Sequence, residues 1–302
     1  MRKFLPISEA DYVADPYVPD AVMPVGEYAG QKIDATERRP LTILTGDEAK
    51  PFSPEEGEIV AVNFRHDGKF WIVKFATDAV ERVIFEKWDF GSGLIHVAHT
   101  ELRFKFREGR GAVLFPQRLY KGGEVAKPVG DPIENVVNSI EAVSVPGVHF
   151  SVSGGLSKKF VASRRFKSLK ENFYERVTRE RRIVEQWDLL MDDARKQTMF
   201  ERAVSESDAD GLNTPYHLFG HSCTTEAFRL VDSVMNYGIR TWRTFFKRIP
   251  HFPEVYLWAR GLLKPDGKSR MKPLGEEKAH WRDELRARFK KEREDNKRAS
   301  SR

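Results

Sequence analysis

The sequence predicts an α+β fold in which a mostly antiparallel sheet packs against a helix that begins at Cys223. Three observations predict it: consecutive β-rich segments in the first half, helical periodicity in the second half, and the turn sequence Asp67-Gly68 between two of the β-rich segments. An Asp-Gly pair in this position is typical of a β-hairpin, because glycine tolerates positive φ angles. Strands joined by such short turns pair antiparallel.

The predicted strands are rich in Val, Ile, Phe and Trp and are separated by polar turns that contain glycine. They cover residues 59–64, 70–75, 83–88, 94–106 and 112–120.

The helices are predicted from apolar residues that recur at intervals of three and four. Asp131 suits an N-cap and Pro132 a first helical position, so a short helix is expected just after them. Further helices are predicted over about 179–204, from Cys223 onward, and over 276–302.

Charge and composition divide the chain into an N-terminal arm (1–40), a main domain (41–236) and a helical C-terminal extension (237–302) that is rich in basic and aromatic residues. The extension contains 19 Lys and Arg against 9 Asp and Glu, although the whole chain carries a net charge of only +6. The rest of the chain is therefore mildly acidic.

Only one cysteine is present, so an intramolecular disulfide or a cysteine-rich metal site is excluded. Cys223 follows a polar loop and stands at the predicted start of an amphipathic helix. Unpaired backbone N–H groups and the helix dipole favour a thiolate there, and the same N–H groups can hold an oxyanion. These features predict a nucleophilic cysteine, whereas an inert buried thiol is the alternative.

A nucleophilic thiol needs a base close to it. His96 and His99 lie three residues apart on a predicted strand, so they face opposite sides and only one can face a given site. We expect His99 to be the general base and Gln117, on the following strand, to orient its imidazole.

Five further residues are predicted to contact substrate. They are Trp88, Tyr216, His221, Ser222 and Thr224. No metal site is expected. His217 and His221 are four residues apart, but Gly220 argues against a helix there and no HExxH-type glutamate accompanies them.

Several short motifs together resemble those of the bacterial lipoprotein N-acyltransferases of the Lnb type. They are Ala98-His99-Thr100, Phe104 to Gly109, Gln117, and Tyr216 to Thr225. The family usually has a carboxylate where Gln117 stands and Asn-Asn where His221-Ser222 stand. It is similar to the circularly permuted papain-like enzymes, in which the histidine strand precedes the cysteine helix. The resemblance therefore implies a permuted papain-like fold.

The function that this resemblance implies is acyl transfer or acyl hydrolysis through a thioester on Cys223. The expected partners are an acyl donor, for which a phospholipid is one candidate, and an amine or water as acceptor. No cofactor is expected.

The alternative is a non-catalytic module that binds nucleic acid or an acidic partner through its basic C-terminal region. Nucleic acid is the less favoured partner. Trp281, Leu285 and Phe289 are spaced four apart and could instead lie on an anionic membrane surface.

No run approaches the roughly 18 apolar residues that span a bilayer, and the N-terminus lacks the apolar segment of a signal peptide. A cytoplasmic or membrane-peripheral location is therefore expected.

Overall fold

A computed structural model describes residues 15–90, 97–218, 220–237, 252–264 and 268–300. It confirms the α+β class. The nine strands among the described residues are β1 (Thr42–Ile43), β2 (Glu58–His66), β3 (Lys69–Ala76), β4 (Val80–Phe90), β5 (Val97–Phe106), β6 (Val113–Pro116), β7 (Asn135–Val143), β8 (Val161–Ser168) and β9 (Glu185–Asp188).

These strands form one sheet in the order β6-β3-β2-β8-β7-β5-β4-β9, and β1 pairs with β2 beside this path. β2 and β8 run parallel, whereas the other named pairs are antiparallel. The sheet is thus mixed but mostly antiparallel. β5 and β6, although consecutive in the sequence, lie far apart because β6 pairs with β3.

The α-helices among the described residues all lie C-terminal to β7, and the first two are interspersed with the last two strands. They are α1 (Val152–Leu156), α2 (Leu169–Phe173), α3 (Asp193–Asp210), α4 (Cys223–Val234), α5 (Pro253–Ala259), α6 (Leu274–Glu277) and α7 (Arg282–Ser300). A π-helical turn (Tyr174–Arg179) continues α2.

One face of the sheet is covered by α3 and α4 and forms the main apolar core. Phe200 of α3 packs edge-on against three sheet phenylalanines, with ring centroids 5.1–5.2 Å apart. Phe228 of α4 lies 5.1 Å from Phe85 of β4. Burial of these rings holds the cysteine-bearing helix on the sheet.

The opposite face, under α2 and the π-helical turn, buries charged groups in pairs. Arg103 Nε lies 3.2 Å from Glu86 Oε1, and Lys167 Nζ lies 2.9 Å from Glu175 Oε2. All four side chains are nearly inaccessible to solvent. The attraction within each pair offsets part of the cost of burying its charges.

The predicted helix after Pro132 is wrong, because this segment forms β7. The strand is buried on both faces, and its apolar residues therefore do not alternate with exposed polar ones. Without that alternation, Ile133, Val136, Val137 and Ile140 can be mistaken for a helical pattern.

The predicted helix over 179–204 is only partly right. β9 occupies the middle of this segment and pairs with β4, which buries Trp187 in the core. The helix α3 begins later, at Asp193, because the side chain of Asp192 caps it by accepting a hydrogen bond from Arg195 N.

The two ends of the chain both contact the sheet-bearing body. Met23 and Ile33 of the arm pack with Val143 and Val161. In the C-terminal region, the predicted stripe of Trp281, Leu285 and Phe289 packs against α2 and the π-helical turn. These three side chains are therefore packed within the protein, and peripheral membrane contact by other residues of the C-terminal helix stays a prediction.

Within the described ranges, every helix is too short or too polar to cross a bilayer.

Candidate active site

The cysteine is positioned by a strongly capped helix start. Ser222 is the N-cap of α4: its side chain accepts a hydrogen bond from Thr225 N, while Ser222 N donates to Thr225 Oγ1 at 2.8 Å. This reciprocal capping box fixes Cys223 as the first residue of the helix. Ser222 was predicted to contact substrate. In the structure it is buried and its side chain caps the helix.

The Cys223 thiol lies against four groups. It forms a side-chain hydrogen bond with His99 and accepts one from Thr100 N. Tyr216 Oη donates to Sγ at 3.9 Å, and Thr224 Oγ1 lies 4.0 Å away. The structure therefore brings together Cys223, His99, Tyr216 and Thr224, as the sequence predicts.

The electrostatics of this pair favour a thiolate and an imidazolium. Burial alone would raise the pKa of the Cys223 thiol, but the charge and hydrogen bond of His99 outweigh it and lower that pKa. Burial alone would lower the pKa of His99, but the charges of Cys223 and Glu141 outweigh it and raise that pKa. Opposite charges a few ångströms apart each favour the ionised form of the other.

The second imidazole nitrogen is held by a serine and a glutamate that the sequence analysis missed. His99 Nε2 lies 2.8 Å from Ser139 Oγ, and Ser139 Oγ donates to Glu141 Oε1 at 3.1 Å. Because the serine proton goes to Glu141, Ser139 accepts the Nε2 proton of His99. Nδ1 is therefore the nitrogen left to serve the thiol.

Glu141 is itself held as an anion. Its carboxylate forms a short ion pair with the guanidinium of Arg176. Burial would raise the pKa of Glu141, but Arg176 and His99 lower it well below its ordinary value. A second carboxylate, Glu101, lies 3.8 Å from His99 Nε2. Both carboxylates therefore favour the imidazolium form of His99. Glu141 acts through the bridging Ser139 hydroxyl, and Glu101 acts directly.

Trp88 holds the imidazole ring from one side. It pairs with His99 across β4 and β5, and the two rings stack with centroids 4.8 Å apart at 24°. The Arg176 guanidinium lies 4.5 Å from the centre of the Trp88 ring. Trp88, which was predicted to contact substrate, therefore also restricts rotation of the His99 ring.

Gln117 does not orient His99, and this prediction is wrong. Gln117 Oε1 accepts a hydrogen bond from Asn63 N at 2.7 Å, and Gln117 Nε2 donates to Asp15 and to the Asn63 side chain. It follows β6, which is separated from β5 by four other strands. Ser139 and Glu141 on β7, the true neighbour of β5, take the position expected for it.

His221 lies beside the site but faces away from the thiol. Its Nδ1 lies 3.1 Å from Glu226 Oε1 and its side chain is 55% exposed. His96 lies outside the described residues. In the described part of the chain, no group of three or more His, Cys, Asp and Glu side chains is arranged to hold a metal ion.

A cavity of about 160 Å³ opens in front of His99. Apolar and charged side chains share its lining. The residues are Arg38, Trp88, His99, Ile140, Glu141, Ala142, Phe150, Arg176, Glu180, Arg182 and Tyr216. A substrate in this cavity would therefore meet the imidazole and the Tyr216 phenol beside Cys223.

Comparison with known proteins identifies a family. Residues 69–252, well over half of the chain, match the family described as Lnb N-terminal periplasmic domain. Neither the curated proteins nor the solved structures include a significant match.

The matched region contains Cys223, His99, Ser139 and Glu141. It also corrects the predicted location: the family is described as a periplasmic domain, so the expectation of a cytoplasmic protein is wrong. The chain belongs to the Lnb N-terminal periplasmic domain family, as the motifs around His99 and Cys223 predicted.

Proposed function

We propose that the protein is a cysteine-dependent acyltransferase or acyl hydrolase that works through a thioester on Cys223. The observation that carries the proposal is the buried Cys223–His99 pair, whose thiol pKa is lowered and whose imidazole pKa is raised. A thiolate beside an imidazolium is the reactive form of a catalytic cysteine.

In the first half-reaction, the Cys223 thiolate attacks the carbonyl carbon of an ester or amide. The bond between that carbon and the leaving oxygen or nitrogen breaks, and His99 gives its Nδ1 proton to the leaving group. In the second half-reaction, His99 takes a proton from an amine or a water that attacks the thioester. The acyl group leaves on that acceptor and the thiolate is restored.

The negative oxygen of each tetrahedral intermediate needs donors. The backbone N–H of Cys223 lies in the first turn of α4, where N–H groups have no partner within the helix. The Tyr216 phenol is a second donor, because burial and the charge of Cys223 raise its pKa well above its ordinary value. It stays protonated and 3.9 Å from the sulfur.

The arrangement supports a permuted papain-like fold. The strand that bears His99 precedes the helix that bears Cys223 in the chain, and α4 lies on β5 and β7. The Ser139–Glu141 pair supplies the polar group that orients the base, with a carboxylate at its end.

The experiment is intact-mass spectrometry after incubation with a short-chain activated ester. We expect one acyl group on the wild-type chain, removable by hydroxylamine, and none on Cys223→Ala. Because the chain has a single cysteine, a hydroxylamine-sensitive adduct assigns the thioester. An adduct that resists hydroxylamine, or that persists in Cys223→Ala, would refute the proposal.

A further inference from the structure

The cavity in front of His99 contains more positive than negative charge. Three arginines line it, Arg38, Arg176 and Arg182, against the two carboxylates Glu141 and Glu180. Arg176 is bound to both carboxylates: it pairs with Glu141, and its NH1 donates to Glu180 Oε1 at 2.8 Å. The charges of these five side chains sum to +1, so the lining holds one arginine more than its carboxylates can neutralise.

Arg38 is left with a neutral partner. Its NH1 donates to the backbone oxygen of Ala142 at 2.8 Å, and no carboxylate of the described residues forms an ion pair with it. It is half-buried and lies close enough to Glu141 to lower the pKa of that group. Its charge is therefore available at the cavity.

Arg182 is only loosely paired. Its Nε lies 3.9 Å from Glu180 Oε2, which is too long for a hydrogen bond. Within the described residues, this buried Nε has no hydrogen-bond partner. A buried donor without a partner is costly, and a ligand acceptor would relieve that cost.

Apolar groups lie next to these two cations. Ile140, Phe150 and Tyr216 line the same cavity as Arg38 and Arg182. A ligand that fits this lining has an apolar part and an anionic part. A guanidinium presents a planar fork of donors that matches the oxygens of phosphate and carboxylate groups.

We propose that Arg38 and Arg182 form an anion subsite, so that the preferred acyl donor carries a phosphate or carboxylate close to its scissile carbonyl. This inference rests on the proposed thioester chemistry and names the substrate class for the same site. Arg38 lies outside the region 69–252 matched by the family, whereas Arg182 lies within it.

The test compares alkylation of Cys223 by iodoacetate, which is anionic, with alkylation by neutral iodoacetamide. Each rate is measured in the wild type, Arg38→Gln, Arg182→Gln and the control Arg202→Gln, an exposed arginine on α3. The ratio of the two rates cancels any change in thiol reactivity that both reagents share. We expect the ratio to fall about three- to fivefold in each subsite variant, the size of a partly exposed ion-pair contact, and to stay constant in the control.

Fast alkylation with an unchanged ratio in both subsite variants would overturn the subsite while leaving the proposed function intact. If His99→Ala slowed neither reagent, the proposed function would fall instead. The subsite is then decided by the binding of two lipids to Cys223→Ala, measured by calorimetry. The lipids are dihexanoyl phosphatidic acid, which carries a phosphate, and dihexanoylglycerol, which does not. Tighter binding of the former that Arg38→Gln removes supports the subsite, and equal binding of both lipids overturns it.

The two anion types are separated by competition against iodoacetate alkylation. Inorganic phosphate that protects Cys223 at lower concentration than acetate does would assign a phosphate-bearing donor. The reverse order would assign a carboxylate. Protection by neither would overturn the subsite.

Discussion

The two faces of the sheet are buried to a similar degree but contain opposite chemistry. On β5, Leu102 and Phe104 face the apolar core under α3 and α4, while Glu101 and Arg103 face the charged layer under α2. Asn172 joins the charged layer by donating to Glu101 at 2.7 Å. Alternate residues of one strand therefore serve two different environments.

The candidate site lies where the two faces meet. Cys223 belongs to an apolar cluster with Ile140 and Tyr216, whereas His99 lies on the charged face with Ser139 and is held there by it. Apolar packing therefore positions the thiol, whereas buried charge sets its protonation state. A mutation on one face should therefore change the position of the thiol or its protonation, but not both.

The largest expected effect on reactivity is that of His99→Ala on the charged face. Removing the imidazole takes away both the charge and the hydrogen bond that lower the pKa of Cys223. We expect alkylation by iodoacetamide at neutral pH to slow by about 10- to 100-fold, because the thiolate is the nucleophile and a thiol with the ordinary pKa of 9.0 is only about 1% ionised at pH 7. An equal rate in the variant would mean that the thiol is not activated by His99.

The largest expected effect on stability is that of Phe200→Ala on the apolar face. Phe200 is fully buried and contacts several sheet phenylalanines. Its loss should lower the free energy of unfolding by about 3–5 kcal/mol, measured by urea titration. The pH dependence of alkylation of the folded fraction should not change. A shifted pH dependence would show that the two faces are not independent.

A smaller effect is expected for Ser139→Ala, which breaks the link between His99 and Glu141. A hydrogen bond to a charged group is worth about 1.5–3 kcal/mol, so we expect acyl-adduct formation to slow by about tenfold or more. The matched control is Ser207→Ala, an equally buried serine of α3 that bonds Arg164 O and Leu41 N.

Ser207→Ala should reduce stability without changing the rate of adduct formation. If both serine variants slow the reaction equally, Ser139 acts only through general stability and the relay to Glu141 has no special role.

Much of the site could be predicted because its main residues carry local signals. Cys223 stands after a capping sequence and before a helical stripe, and His99 lies on a β-rich segment that ends before a glycine-containing turn. Helix starts and isolated strands of this kind depend on a few neighbouring residues.

The rest depends on strand order, which local patterns do not specify. Gln117 was expected near His99 because β6 follows β5 in the sequence, yet β7 is the strand beside β5. Ser139 and Glu141 share one face of β7, but burial of both faces concealed the strand and therefore this pair. Their partner Arg176 comes from a π-helical turn, which is rare and frequently marks functional sites.

The most direct test of the central claim is the pH dependence of Cys223 alkylation in the wild type and in His99→Ala. With the thiol pKa lowered and the imidazole pKa raised, each group stays ionised over a wider pH range than it would alone, so reactivity should persist below the ordinary thiol pKa of 9.0. In His99→Ala the same transition should move to higher pH. A single transition near 9.0 that is identical in both proteins would contradict the account.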